Sequence, residues 1–426
     1  MKNNIQSSVL VAVDMGSQSF RAMAAEMTPS GALRVLGVEE SSQKCCVHRG
    51  VVDNTSDAGY MLTSVVKLLG NRIRKQLDNS AFICVGGQSM KVGTVPSTRD
   101  LGCKREITSD ILAKMEWECK EKLEKKHPDI AVLDLIPSYF RLDGTEQSHE
   151  PTPNQRAEFL EGYYNAFWGK KELEEKIEKT FQRTALVKEK MYVRPEVLMN
   201  ALTTAEEMKQ GCAVLDLGAQ TSTLTIHKGG EYLYNQVVPL GGYDITEAVE
   251  QLGLSLLQAE RLKCIYGVAS ADMVKVNRTY LLTSPEGEKI SVSAVELAEV
   301  ISGKLAEMLT PLMEALNKES GIEVLYVTGG GAMLNGIVGY IQRMTGVKVM
   351  GGSHAAWLTA DTPDEYCMPQ YASLVGTLLL GAEHRKTHPQ TNYSGNKPLL
   401  EKIMESTLRL FTDQGEEGKK IIVEQY

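Results

Sequence analysis

The sequence of 426 residues is short of several features that mark particular classes of protein. Only 14 residues are proline and no long low-complexity tract is present, which argues against a disordered or fibrous chain. No apolar stretch reaches the ~18–20 residues of a membrane-spanning helix. The first apolar run, residues 9–13, ends at Asp14 and is too short for the core of a signal peptide. A cytoplasmic protein is therefore expected.

The sequence also lacks a surplus of basic residues and closely spaced Cys or His residues of the kind that bind metal ions. The formal net charge is −8, whereas a general nucleic-acid binder usually carries a basic surplus, so no nucleic-acid partner is expected. The eight cysteines form no C-x-x-C pair and are expected to be reduced thiols. The seven histidines show no ligand spacing, and no Ser–His–Asp set is visible. The sequence thus gives no sign of a resident zinc site or a hydrolase triad.

What the sequence does contain is an internal repeat. Residues 14–19 (DMGSQS) recur as residues 216–221 (DLGAQT), and each copy follows an apolar strand and precedes another. In such a strand–turn–strand unit the glycine lets backbone N–H groups approach a phosphate closely. The aspartate at the end of the strand can hold the water shell of a Mg²⁺ ion. Two such hairpins facing each other would clamp a triphosphate.

A third glycine-rich segment completes the pattern. Residues 329–331 (GGG) follow a buried strand, and a helix is predicted after them. Adjacent glycines at such a junction leave bare backbone against which a flat adenosine group can lie. In chain order after the two hairpins, this run predicts the nucleoside end of the same binding site.

These three motifs, in this order, resemble those of the actin-like ATPase superfamily, which includes actin, MreB, DnaK-type chaperones, sugar kinases and the division protein FtsA. Within the superfamily the chain most resembles the FtsA family. A block of short predicted strands and one charged helix follows Gly87 and continues to about Gly162, at the place where FtsA carries its inserted subdomain. Residues 135–143 (LIPSYFRLD) are similar to an FtsA stretch with I-P-x-x-Y. Residues 371–376 (YASLVG) are similar to the closing FtsA helix. The resemblance covers roughly residues 8–385.

The resemblance implies an α/β protein with the actin-like ATPase fold, in which two α/β domains surround a nucleotide cleft and carry one inserted small α+β subdomain. The expected boundaries are 1–87 and 163–209 for the first domain and 88–162 for the inserted subdomain. The second domain is expected over 210–385, and a linker with a C-terminal amphipathic helix over 386–426.

The implied function is that of an ATP-binding scaffold of bacterial cell division. It would polymerise head to tail, bind ATP with Mg²⁺, and tether filaments of the tubulin-like FtsZ to the cytoplasmic face of the inner membrane at mid-cell. Other divisome membrane proteins would be further partners. The implied nucleotide-binding residues come from the three motifs, a Gly-Gly turn and an A-E-x-x-K helix: Asp14, Gly16, Ser17, Gln18, Ser19, Asp216, Gly218, Ala219, Gln220, Thr221, Gly241, Gly242, Glu260, Lys263, Gly329, Gly330, Gly331 and Met333. Asp14 and Asp216 would position the hydrated metal ion, and Glu260 and Lys263 the ribose and base.

Two departures from the family pattern predict weak catalysis. Where FtsA usually carries a phosphate-contacting lysine, this chain has Ser19, with Arg21 as the nearest alternative cation. At the tip of the second hairpin Gln220 replaces a glycine, which predicts a cost of about 1 kcal/mol if the turn needs a positive φ. The side chain of Gln220 would also crowd the phosphates. At most a weak ATPase is expected, and no catalytic residue is assigned.

Two other functions remain open at this point: a pilus-assembly scaffold of the PilM type, which binds a short peptide of a membrane partner, and a divergent phosphotransferase of the sugar-kinase type, for which no general base can be assigned. Residues 398–412 form an amphipathic pattern after a polar linker. In FtsA such a helix lies on the membrane, and docking onto the protein itself or a partner is the alternative. A linker and helix of this kind favour FtsA over PilM.

Overall fold

The computed structural model describes residues 9–41, 46–75, 77, 79–147, 151, 155–285 and 287–387. Residues up to Ala382 belong to one compact unit, and a second unit begins at Glu383. The amphipathic helix expected over 398–412 lies outside the described residues. None of the helices described here combines the length and the apolar character that crossing a bilayer would need.

The first half of the chain builds one five-stranded sheet and one four-stranded sheet. Its elements are β1 (Leu10–Met15), β2 (Phe20–Met27), β3 (Leu33–Glu40), β4 (Val47–His48), β5 (Val51–Val52), α1 (Thr55–Ile73), β6 (Ser80–Val85), β7 (Lys91–Glu106), α2 (Ser109–Lys126), β8 (Ile130–Leu142), β9 (Thr145–Gln147), β10 (Arg156–Lys170), α3 (Lys171–Phe181), β11 (Val187–Val193), α4 (Arg194–Leu202) and α5 (Ala205–Gln210). The larger sheet has the order β11-β6-β1-β2-β3. In it β1 is antiparallel to β2 and parallel to β6, and β6 is parallel to β11.

The inserted subdomain is the four-stranded sheet β7-β10-β8-β9 with α2 packed against it. Its own core includes Met115, Phe140 and Leu160. Strand β10 pairs with both β7 and β8 as far as Trp168 and Lys170, respectively, so the boundary expected at residue 162 falls inside a strand. The pairing of this sheet therefore continues to Lys170. A break at 162 is unfavourable because it would leave half of the ladder of two neighbouring strands unpaired.

The second half of the chain repeats the five-stranded arrangement. Its elements are β12 (Cys212–Leu217), β13 (Ser222–Lys228), β14 (Glu231–Val238), α6 (Gly242–Glu250), α7 (Leu256–Tyr266), β15 (Thr279–Thr283), β16 (Lys289–Ser293), α8 (Ala294–Lys318), β17 (Val324–Thr328), α9 (Ile337–Gln342), β18 (Lys348–Gly351) and α10 (Ala372–Thr387). The sheet order is β14-β13-β12-β17-β18. Strand β12 is antiparallel to β13 and parallel to β17. In the same way, β1 is antiparallel to β2 and parallel to β6. The sequence repeat is therefore a repeat of the fold.

The two repeated strands lie at the centre of their sheets, and this position explains their composition. Every residue of β1 and of β12 is buried. A central strand covered on both faces favours a continuous apolar run over an alternating one. Asp14 and Asp216 are the charged residues in these otherwise apolar strands, and they too are buried, with only 5% and 8% of their surface exposed. Two buried carboxylates near the ends of central strands need compensation, because burial without a partner is costly for a charge.

Candidate functional site

The two hairpins face one cleft and have matching turns. A Cβ atom on Gly16 would lie 2.9 Å from the carbonyl oxygen of Ser19, and one on Gly218 would lie 2.9 Å from that of Thr221. A residue with a side chain would force either turn open, so glycine is required by this close approach. The repeated sequence thus produces the same tight turn twice.

The cleft is open to solvent, and its empty space of about 850 Å³ includes solvent at its mouth. It brings together most of the residues expected from the three motifs: Asp14, Gly16, Ser17, Gln18, Ser19, Asp216, Gly218, Ala219, Thr221, Gly329 and Gly330. The glycine run packs closely against the end of β12. Gly329 has φ +83°, and a Cβ atom there would overlap Oδ1 of Asp216 and lie 2.6 Å from the carbonyl oxygen of Leu217.

The other expected residues lie around the cleft and do not line it. Gly242 donates its backbone N–H to the carbonyl of Gly218 at 3.0 Å, so the Gly-Gly turn supports the second hairpin from behind. Gly331 packs on the Cβ atom of Leu217, and Met333 is half exposed. The run at 329–331 leads into a short 3₁₀ turn, and α9 begins only at Ile337.

Glu260 and Lys263 join α7 to α6 by hydrogen bonds. The ammonium group of Lys263 donates to the carbonyl of Gly242 at 2.8 Å, to the hydroxyl of Thr246 at 2.7 Å and to the carboxylate of Glu260 at 2.7 Å. A lysine has three donors, and all three have a protein acceptor here. The expected contacts of these two residues with ribose and base stay a prediction.

Arg194, which the sequence analysis did not single out, occupies the floor of the cleft. Its Nη1 donates to Oδ2 of Asp14 at 3.1 Å and lies 3.8 Å from Oδ2 of Asp216, while Nη2 donates to Oδ1 of Asp14. The hydroxyl of Ser373 donates to Oδ2 of Asp14 at 2.6 Å. One guanidinium group therefore joins the two repeated aspartates.

The two aspartates have opposite shifts in pKa. Burial raises the pKa of Asp14, but the charge and hydrogen bonds of Arg194 and the hydrogen bond from Ser373 outweigh it and leave the pKa below its ordinary value. Burial raises the pKa of Asp216, the charge of Arg194 opposes the rise, and the net shift is upward. For Arg194 burial lowers the pKa, and the carboxylate of Asp14 more than reverses this, so the guanidinium stays charged.

The arrangement does not fit a Mg²⁺ ion between the two aspartates. Both oxygens of Asp14 already accept hydrogen bonds, and the space between the carboxylates holds the guanidinium of Arg194. Elsewhere in the described residues, no group of three or more His, Cys, Asp and Glu side chains is arranged as metal ligands. The metal role expected for Asp14 and Asp216 stays a prediction, which this geometry does not favour because an arginine compensates their negative charge.

The two departures from the family pattern have structural explanations. Ser19 is buried and donates its hydroxyl to Glu40, which also forms a 3.2 Å ion pair with Arg21. The amide oxygen of Gln220 accepts the backbone N–H of Arg49 at 2.9 Å. The left-handed strain expected at Gln220 is absent, because the only non-glycine residues with positive φ in the described chain are Arg49, Arg74 and Asp143.

Comparison with known proteins agrees with this geometry. The family profile for "Cell division protein FtsA" matches residues 213–376. FtsA of Streptococcus pneumoniae serotype 2 (strain D39 / NCTC 7466) is 25% identical over 346 residues, covering 79% of this chain and 74% of its own. FtsA of Escherichia coli (strain K12) is 22% identical over 402 residues, covering 88% and 90%.

Solved structures support the fold. The PilM–PilN type IV pilus biogenesis complex has a chain that superposes with a TM-score of 0.62 at 18% identity, covering 87% of this chain and 98% of its own. MreB5 of Spiroplasma citri bound to ADP gives a TM-score of 0.55 at 10% identity, covering 90% and 100%. With its repeated hairpins, its glycine run and these similarities, the chain has the actin-like ATPase fold and is similar in sequence to FtsA.

Proposed function

We propose that this chain is a scaffold of bacterial cell division that binds ATP between its two hairpins, assembles into head-to-tail filaments and tethers FtsZ filaments to the cytoplasmic face of the inner membrane at mid-cell. The observation that carries the proposal is the pair of matching Asp–Gly hairpins around one cleft, in a chain similar to FtsA over most of its length. Contacts with other divisome membrane proteins belong to the same proposal.

Nucleotide binding is supported by the shape of the cleft. Both turns are tight enough that only glycine fits at Gly16 and Gly218, which leaves the backbone accessible to a ligand. Gly330 has no atom within 4 Å of the position a Cβ would take, so the third motif presents bare backbone to the cleft. The ADP-bound state of the MreB5 structure, which has the same fold, favours an adenine nucleotide as the ligand. Hydrolysis is expected to be slow, because Ser19 replaces a cation.

Self-association is proposed to involve the inserted subdomain. This subdomain exposes Trp117 on α2 and Phe159 on β10, which are 58% and 41% exposed. Large aromatic side chains are over-represented in the centres of protein interfaces. A head-to-tail contact is heterologous, so it produces filaments and not closed dimers.

Deletion of the insertion would be a poor test of this role, because Leu133 and Phe167 from its strands are buried in the core of the first domain. Trp117→Glu is the better variant, because it adds a charge on an exposed face. ATP-dependent filaments should disappear in electron micrographs, while the thermal shift caused by ATP should remain. Tyr60→Glu, which changes an aromatic residue on α1 that is 62% exposed, is the matched control and should still form filaments. Filaments of unchanged number and length in the Trp117 variant would remove this part of the proposal.

The tether to FtsZ and the membrane is tested with the full chain on a supported lipid bilayer. Fluorescent FtsZ should be recruited to the bilayer only when this protein and ATP are present. In a Leu400→Glu/Phe411→Glu variant both proteins should stay in solution, because the changes place charges on the apolar side of the expected amphipathic helix. Equal recruitment by the variant would mean that the helix docks on protein. No recruitment by the unchanged chain would contradict the tether.

A PilM-type scaffold remains the second candidate, because the PilM–PilN complex gives a TM-score of 0.62 with this chain. That similarity concerns the fold alone. The bilayer experiment separates the two functions, because a pilus-type scaffold should not recruit FtsZ. No observation favours the third alternative, a phosphotransferase of the sugar-kinase type.

A further inference from the structure

The position of Arg194 carries a consequence for how the cleft holds its ligand. Arg194 is the first residue of α4, directly after β11. Val193 of β11 pairs with Val85 of β6, and Asp14 of β1 pairs with Cys84 on the other side of the same strand, so the strand ends place Arg194 near Gly86 and Asp14. A Cβ atom on Gly86 would lie 3.1 Å from Nε of Arg194, so the glycine leaves room for the guanidinium. The arginine is thus fitted into the floor of the cleft by its neighbours.

The charges that line the cleft already cancel. Four ionisable side chains line it: Asp14, Asp216, Arg21 and Arg194, two negative and two positive. A divalent cation between the carboxylates would lie against the guanidinium of Arg194, and like charges at contact repel strongly in a buried site. Such an ion would also have to displace a bidentate Arg–carboxylate pair, which is among the strongest of charged hydrogen-bonding arrangements.

A second cation in the cleft also points to an anionic ligand. Arg21 lines the cleft with a side chain that is 19% exposed. Its Nε is buried and finds no hydrogen-bond partner among the residues that the structure describes. Buried donors are nearly always satisfied, so an unsatisfied one in a cleft is a place where a ligand acceptor fits. Phosphate oxygens are acceptors with the charge that this donor favours.

We propose that Arg194 takes the place of the divalent cation, so that the cleft binds the phosphates of ATP without Mg²⁺. The inference rests on the proposed nucleotide site, and it changes what that site does. With no metal ion to polarise the phosphates, bound ATP is a structural ligand that joins the two hairpins, and turnover is not required for assembly.

The first test compares ATP binding by the unchanged protein in MgCl2 and in EDTA, by calorimetry. The two dissociation constants for ATP should agree within about threefold. A threefold ratio corresponds to a much smaller difference in binding free energy than a tenfold ratio does. ATP binding that is roughly thirtyfold or more tighter in MgCl2 would overturn the inference. This comparison needs no variant, so it stands even if substitution of Arg194 prevents folding.

The second test removes the guanidinium. In Arg194→Gln the aspartates lose their cation, and a metal ion can take its place. MgCl2 alone should then raise the melting temperature of the variant and leave that of the unchanged protein where it was. Arg99→Gln, which loses an ion pair with Glu118 in the inserted subdomain, is the matched control and should behave as the unchanged protein does. A rise with MgCl2 alone in the unchanged protein would contradict the inference.

The two proposals fail in different ways. If ATP binds in neither buffer, the nucleotide site itself is refuted, and the inference falls with it. If ATP binds only in MgCl2, the proposed function stands and the role given to Arg194 is refuted.

Discussion

The two hairpins of this protein share one backbone and differ in their chemistry. Each has a buried aspartate near the end of a central strand and a glycine whose missing side chain allows the turn to close, with the same 2.9 Å approach in both. Yet the carboxylate of Asp14 accepts three hydrogen bonds, from Arg194 and Ser373, while that of Asp216 has one ion pair at 3.8 Å.

The difference shows that duplication reproduces a fold more faithfully than it reproduces an electrostatic environment. The backbone of a turn is set by local sequence, which both copies retain. The surroundings of each carboxylate come from α4 and α10. Arg194 of α4 and Ser373 of α10 donate hydrogen bonds to Asp14, whereas Asp216 has only the 3.8 Å ion pair with Arg194 among the contacts of the described residues. Asp14 is therefore a stabilised carboxylate, whereas Asp216 carries a cost of burial that its single ion pair offsets only in part.

Neutralising each aspartate should give the largest contrast. Asp14→Asn leaves Arg194 with one weak partner, and the free energy of unfolding should fall by roughly 3–5 kcal/mol, as when one partner of a buried ion pair is removed. Asp216→Asn should change it by about 1 kcal/mol or less in either direction, because the raised pKa means that its charge is partly uncompensated. Urea denaturation at neutral pH measures both, and equal losses would break the comparison.

The donor from α10 should give the next largest effect. Ser373→Ala removes a 2.6 Å hydrogen bond to the carboxylate of Asp14, and the loss should be about 1.5–3 kcal/mol, the range for hydrogen bonds to charged groups. The matched control is Ser222→Ala in β13, whose buried hydroxyl donates to the carbonyl of Leu240 at 2.9 Å. That neutral bond should be worth only about 0.5–1.5 kcal/mol. Similar losses for the two serines would argue that Asp14 is not held as a carboxylate.

A second pair of buried carboxylates can be compared with the pair that Arg194 joins. Asp134 of β8 and Glu196 of α4 are buried close enough to interact electrostatically. Lys190 is a nearby cation, and no ion pair of the described residues joins the two carboxylates to an arginine. Burial, together with the charge of Asp134, raises the pKa of Glu196 well above its ordinary value. The folded protein therefore binds this proton more tightly than the unfolded chain does, and stability is lost as pH rises from the unfolded pKa through the folded one.

Glu196→Gln should remove that loss. The variant should be more stable than the unchanged protein by about 1–2 kcal/mol at pH 8, and the gain should shrink as pH falls toward 5. Glu175→Gln on the exposed face of α3 is the control and should show no such pH dependence. Melting temperatures across this pH range decide the matter, and a gain that grows on acidification would contradict the assigned direction.

The smallest effect is expected at the hairpin tips. Gln18 and Gln220 are equivalent in the repeat, but Gln18 is exposed, whereas Gln220 accepts the backbone N–H of Arg49. Gln220→Ala should therefore cost about 1 kcal/mol of stability, and Gln18→Ala close to nothing. Since neither position has a positive φ, no gain from relieved strain is expected in either variant. A stabilised Gln220 variant would restore the idea that this residue strains the turn.

The sequence predicted those parts of the protein that depend on local pattern. The repeated strands, the tight turns and the chain order of the three motifs are local features, and the structure contains all of them. The proximity of Asp14 and Asp216 followed instead from the hypothesis that the two hairpins clamp a triphosphate, and both residues line the one cleft. The expected end of the insertion at residue 162 lies inside β10, which continues to Lys170. After Gly162 the strand contains one glycine, Gly169, and no proline, so its sequence gives little sign of where the strand ends.

Arg194 was missed because its importance arises only from contacts across long sequence separations. It lies 180 residues from Asp14, which it contacts, and Ser373 lies 359 residues from the same carboxylate. One local signal was available. An arginine at the first position of a helix, directly before Pro195, opposes the helix dipole and calls for an anion nearby. An anomaly of this kind can point to a buried ion pair, but it cannot name the partner.

The most direct test of the account is anomalous diffraction from crystals of the full chain grown with ATP and Mn²⁺. The account predicts phosphate density between the turns at Gly16 and Gly218, with Arg194 still joined to Asp14 and no manganese peak between the two aspartates. A manganese peak between Asp14 and Asp216, with the guanidinium of Arg194 displaced from that position, would contradict it.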